Sequence, residues 1–162
     1  MVPLVDAVQS STVTTSGCAG NICTADKVAD GNTGNEISTM GVTWGNSPSW
    51  WSARMTAVAT IDKLLVYAGE WAFTQGYFNR FQVETRMRDD EEWTVCKGEH
   101  SMSRPIDPYV VVCDKPTTAK YVRVSVAGSK NLYLGEVQVF GKLPAGESCK
   151  FCPSLKIISI CR

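Results

Sequence analysis

Lys120-Tyr121-Val122-Arg123-Val124-Ser125-Val126 puts Val122, Val124 and Val126 on one side of an extended backbone. A period of two is that of a strand with one face against a core. Working outward, residues 80–86 alternate in the same way, with Phe81, Val83 and Thr85 against Gln82 and Glu84. Residues 61–67 are β-branched and aromatic, 93–96 and 109–113 are short and apolar, and 132–140 read as the last strand. No stretch sustains a helical spacing. Residues 14–49 are loop-like, with Gly17, Gly20, Gly31, Gly34, Gly41, Gly45 and Pro48 among many Ser, Thr and Asn. Many short strands separated by turns predict an all-β antiparallel sandwich or barrel. From Lys142 the character changes. Leu143-Pro144-Ala145-Gly146 reads as a linker, so 1–141 is expected to be the domain and 142–162 a Cys-rich tail.

The 162 residues suit one domain, and a 44% hydrophobic share is enough for a core. Sixteen basic and sixteen acidic residues cancel, so no bulk attraction to nucleic acid or anionic membrane is built in. No apolar run approaches the length of a membrane span. The lone histidine, His100, excludes any site that needs two imidazoles. Catalysis is not expected. No Gly-x-Ser-x-Gly elbow or Gly-rich phosphate loop is present. His100 stands in a polar, loop-like stretch, and Asp89-Asp90-Glu91-Glu92 reads as a solvated turn.

Seven cysteines, Cys18, Cys23, Cys96, Cys113, Cys149, Cys152 and Cys161, are many for this length. They favour disulfides and an oxidising compartment, hence a secreted, extracellular protein whose signal peptide has been removed. The odd count leaves one thiol free or bridged to another chain. Cys149-x-x-Cys152 alone supports a zinc reading. Cys18 and Cys23 close a small loop of their own, or Cys18 pairs with the tail. The apolar segment 155–161 adds an edge strand, pairs with another molecule or is a disordered end; sequence does not choose among these.

The order of the pieces carries a resemblance. Ala7-Val8-Gln9-Ser10-Ser11-Thr12 is followed by Ala25-Asp26-Lys27-Val28-Ala29-Asp30-Gly31-Asn32, and then by Pro48-Ser49-Trp50-Trp51. Asn79-Arg80-Phe81, Trp93-Thr94-Val95-Cys96, residues 120–124 and Leu134-Gly135-Glu136-Val137-Gln138-Val139-Phe140-Gly141 complete the series. From Ala7 to Gly141 the chain resembles the F-type lectins (fucolectins), a branch of the discoidin-like, galactose-binding-like superfamily. The resemblance implies a jelly-roll β-sandwich of two antiparallel sheets with the ligand site on loops at one end. It implies that Cys96 bonds Cys113. It also implies a bound calcium held by Asp30, Asn32, Thr39 and Glu136, with main-chain carbonyls of Lys27 and Gly135. Oxygen donors of these kinds suit calcium; Asp-Gly-Asn is otherwise a turn. A further family disulfide falls on Met40 and Gly135 and is missing.

The family's sugar triad is missing too. Its histidine falls on Val42, or near Trp44 if the gap is placed otherwise, and its Arg-x-Asp falls on Tyr67-Ala68-Gly69-Glu70-Trp71. Weak or no binding of simple fucose is expected. Trp44, Trp71, Phe73 and Tyr77 offer an aromatic patch for a sugar face or a protein, or close a loop over the sheet. Arg80 binds a sugar hydroxyl or makes a salt link. Trp50 and Trp51 read as core. The expected function is a calcium-binding, lectin-like recognition module for a glycan or glycoprotein. The alternative is a structural or adhesive extracellular protein working by aromatic loops and intermolecular disulfides as a homo-oligomer.

Overall fold

The computed structural model describes residues 1–34, 36–45, 48–68, 80–101, 108–128 and 130–144, without the side chains of His100 and Ser101. In chain order the strands are β1 (Leu4–Gln9), β2 (Val13–Thr14), β3 (Ile22–Cys23), β4 (Gly41–Val42), β5 (Ser49–Tyr67) and β6 (Arg80–Arg86). They continue with β7 (Thr94–Ser101), β8 (Tyr109–Val111), β9 (Thr117–Val126), β10 (Tyr133–Leu134) and β11 (Glu136–Lys142). Short 3₁₀ turns at Ala19–Asn21, Ala25–Ala29 and Ile37–Thr39 are the only helical pieces among the described residues. Every pairing is antiparallel. The all-β antiparallel expectation holds.

β5 decides the architecture. Its first part pairs with β1 and β9, and the path continues through β6 to β7. After the register breaks between Arg54 and Ala59, residues 59–61 still pair with β9; the second part pairs with β11 on one side and, over 64–66, with β8 on the other. One strand of 19 residues thereby serves both layers of the sandwich. The sequence shows only 61–67 of it as a strand, because the small and polar residues of 52–60, with Thr56 exposed, blur the pattern. Trp51, Ala53, Met55, Ala59 and Ile61 point inward, then Leu64 and Val66. This one-residue change of phase lies at the bulge where Phe140 pairs with Lys63 but Gly141 pairs with Ile61. The core between the layers holds Trp51, Phe81, Met55, Leu64, Val83, Val122, Val124, Val137 and Val139.

Two expectations are corrected. Residues 132–140 are not one strand: β10 pairs with β4, β11 pairs with β5, and Gly135 separates them. A Cβ on Gly135 would stand 3.0 Å from the Gly34 carbonyl oxygen and 3.4 Å from that of Tyr67. The chain turns there because only a glycine lets these backbones approach. The polar stretch around His100 is not a loop either, since it continues β7, where His100 pairs with Phe81. A ladder to β6 holds it extended despite its polar composition.

Among the described residues two disulfides are present, Cys18–Cys23 and Cys96–Cys113, with Cα separations of 5.3 and 4.6 Å. The first settles the partner of Cys18. The second ties β7 to the segment after β8, where Asp114 N–H donates to the Cys96 carbonyl at 2.8 Å and Lys97 pairs with Asp114. Cys149, Cys152 and Cys161 lie outside the described residues.

Candidate functional site

The loop after the 3₁₀ turn at Ala25–Ala29 is built by successive side-chain turns. Asn32 N–H donates to Asp30 Oδ1 at 2.8 Å, and Gly34 N–H to Asn32 Oδ1 at 2.9 Å. Asp and Asn suit this role because a short side-chain acceptor reaches the N–H two residues on. Gly31 takes the left-handed backbone between them, at φ +85°. Around Gly34, Asn32 Oδ1 and Thr39 Oγ1 each stand 3.0 Å from the place a Cβ would occupy. Its carbonyl faces Gly135. Thr39 Oγ1 donates to the Glu36 carbonyl at 2.8 Å.

Glu136 comes to the same place from the other end of the chain. The residue is 4% exposed, and its carboxylate accepts from Gly31 N–H at 3.3 Å. Burial pushes this carboxyl up to about 7, the charge of Asp30 adds to the rise, and the N–H groups of Gly31 and Asp30 oppose it. No Lys or Arg pairs with Glu136 among the described residues. Asp30, Asn32, Thr39, Gly135 and Glu136 are therefore neighbours, while a cleft of about 210 Å³ opens between Glu136, Asp30 and the strand start at Met1–Leu4. A buried carboxylate beside a second acid, next to a loop that carries amide and hydroxyl oxygens, supplies donors of the kind a hard cation takes, while no three His, Cys, Asp or Glu side chains cluster among the described residues.

Lys27 uses its side chain differently. Its ammonium donates to the carbonyls of Ala19, Ile22 and Ser38 at 3.2, 2.9 and 3.3 Å. It ties the Cys18–Cys23 loop to the turn at Ile37–Thr39. The sequence reading missed two further contacts between these segments. The Gly34 carbonyl faces Gly135, and its signal was the Asp30–Asn32–Gly34 spacing. Gln9 Nε2 bonds the carbonyls of Cys23 and Val42, and nothing local announces that.

At the sugar positions the structure is less generous. Val42 is fully buried in β4 and cannot reach a ligand. Trp44 is 52% exposed, with its backbone pinned by Ser11 Oγ and Ser49 Oγ. Arg80 is exposed at the start of β6 and meets Glu99 at 3.9 Å, which is the salt-link reading. No hydrogen bond or ring contact joins Trp44 to Arg80 among the described residues. Gly69, Trp71, Phe73 and Tyr77 lie outside the described residues. Trp51 is core, as expected, and its indole N–H donates to the Ala25 carbonyl at 2.8 Å. The acidic run 89–92 is a turn held by Arg86 and Arg88.

The sequence profile of the F5/8 type C domain matches residues 7–135. The chain belongs to this discoidin-like family. Solved structures agree with that. The lectin domain of lectinolysin, complexed with Lewis B antigen, is 20% identical with a TM-score of 0.68, covering 85% of this chain and 92% of that one. A Streptococcus pneumoniae fucose-binding module is 24% identical with a TM-score of 0.67, covering 85% and 93%. The F-lectin (fucolectin) of striped bass (Morone saxatilis) serum is 18% identical with a TM-score of 0.66, covering 88% of this F5/8 type C chain and 48% of its own. At these identities the likeness establishes the fold. No curated protein matches the sequence. No helix among the described residues is long and apolar enough to cross a membrane.

Proposed function

We infer that this F5/8 type C domain is an extracellular recognition module that binds a glycan or glycoprotein at its loop end and is stabilised by calcium. The observation that supports it most is the whole-domain likeness to lectin modules. Two disulfides in a chain this small suit an extracellular setting, and the fold's neighbours are binding modules, so no catalytic role is assigned. Ligand recognition does not use the triad of the F-type lectins, because the histidine's place is taken by the buried Val42 or, with the gap placed otherwise, by a stretch near Trp44 that has no imidazole. Among the described residues Trp44 is the exposed aromatic candidate for stacking on a sugar face.

A glycan array run with and without calcium tests this. Specific, calcium-dependent hits are expected, with little binding of simple fucose. A silent array, with disulfide-linked oligomers on a non-reducing gel, favours the adhesive reading instead. Micromolar fucose binding by calorimetry overturns the loss of the triad's function and directs attention to Arg80.

Calcium would be held by Asp30, Asn32, Thr39 and Glu136, with carbonyls from Lys27 and Gly135. When bound it neutralises the buried acid and joins an early loop to β11. An ion that binds only the folded state stabilises it by mass action. Chelator should lower the melting temperature by about 5 °C, the effect of roughly 1–3 kcal/mol in a domain of this size. Glu136→Gln should abolish the response to added calcium. Identical melting curves in calcium and in chelator count against the ion.

A further inference from the structure

The outer side of the β11–β5–β8 layer is apolar and partly bare. Val111, Leu64, Val66, Val137 and Val139 face the core and are buried. By alternation Val110, Leu65 and Gln138 make one outward row, and Val112, Lys63 and Phe140 make the next. Val110 and Val112 are 52% and 56% exposed, and Leu65 and Phe140 are half-buried. Near Glu136 the same face is covered by the loop at Asp30–Gly34. At the other end Lys63 lays its ammonium 5.3 Å from the Phe140 ring centre. Single exposed valines are ordinary on a protein surface, whereas apolar side chains contiguous across three strands ask for a cover.

Phe140 lies on this face, β11 ends at Lys142, and after Leu143 and Pro144 the sequence continues through residues 145–162. Among them Leu155-Lys156-Ile157-Ile158-Ser159-Ile160 has four aliphatic side chains in six residues. The ten residues 145–154 span up to about 33 Å when extended, against about 10 Å across the three strands. The reach is ample. We propose that residues 155–160 fold back over the outer face of their own domain and cover Val110, Leu65, Val112 and Phe140. A tethered segment meets its site at an effective concentration on the order of millimolar, which a second copy does not match in dilute solution. The return also brings Lys156 beside Lys63.

The test is an amine-reactive cross-link with a short spacer, applied to the whole chain as an equal mixture of ¹⁴N and ¹⁵N protein and read by mass spectrometry. A Lys63–Lys156 link found only between peptides of the same isotope is the expected result. Ile157→Asp with Ile158→Asp should cut its yield several-fold while the thermal melt of the domain stays in place. Links of mixed isotope place the tail on a second copy and overturn the proposal. So do Lys156 links that avoid Lys63, or no Lys156 link at all.

Discussion

Trp51→Ala should lower stability by about 3–5 kcal/mol, which for a domain of this length is a fall in melting temperature of roughly 6–20 °C. The side chain is 1% exposed near the start of β5, between Gln9 of β1 and Val124 of β9. Truncation leaves a cavity and strips the Ala25 carbonyl of its indole donor. Trp51→Phe separates the two effects. It keeps most of the volume and leaves only the carbonyl unpaired, for a loss of about 1–3 kcal/mol. Trp50 is half-buried on the opposite side of the strand, so Trp50→Ala should cost clearly less. Ligand binding per mole of folded protein should be unchanged in Trp51→Phe, since the ring faces the core. A Trp51→Ala melt within about 3 °C of wild type would show that the core does not depend on this ring.

Of the tryptophan pair read as core, only Trp51 is inside; Trp50 is half-buried on the other side, because neighbours on an extended strand point opposite ways. Legible by that alternation were the strands at 80–86 and 120–126, whose inward residues Phe81, Val83, Thr85, Val122 and Val124 are all buried. The full length of β5 was not legible. A strand that serves two layers and slips phase at a bulge loses the simple period of two. At the candidate ion site the residue types were legible, because Glu136 interrupts an apolar strand and Asp-Gly-Asn marks a tight turn. The Lys27 ammonium was not, since its acceptors are main-chain carbonyls set by the path of three separate loops. Glu84 shows the limit most plainly. Alternation places it opposite the core, and so it is, yet it is 5% exposed. Its cover comes from residues distant in sequence, which no local pattern can announce.

That cover gives the other large effect. Arg123 donates to both oxygens of Glu84, at 2.6 and 2.5 Å, and Ser125 Oγ adds a third bond at 3.0 Å. The Arg123 guanidinium also lies 4.5 Å from the Trp93 ring centre, which shields the pair from water. Burial alone raises the Glu84 carboxyl, but the hydrogen bonds and charge of Arg123, with Ser125 and Gln82, outweigh it and hold the group below its ordinary 4.5. Arg123→Ala should therefore destabilise by about 3 kcal/mol, because it strands a carboxylate out of water. Arg123→Met combined with Glu84→Leu should recover most of that loss, since neither charge is then left unpaired. The pH dependence has a fixed sign. A carboxyl with a lowered folded value contributes fully above its unfolded value near 4.5 and loses that contribution as pH falls through the lower folded one. Wild-type stability should decline more steeply below that value than stability of the double variant, measured by denaturant unfolding at a series of pH values. If Arg123→Ala and the double variant are equally unstable, and both follow the wild-type acid limb, the pair is not what holds Glu84 in the sheet.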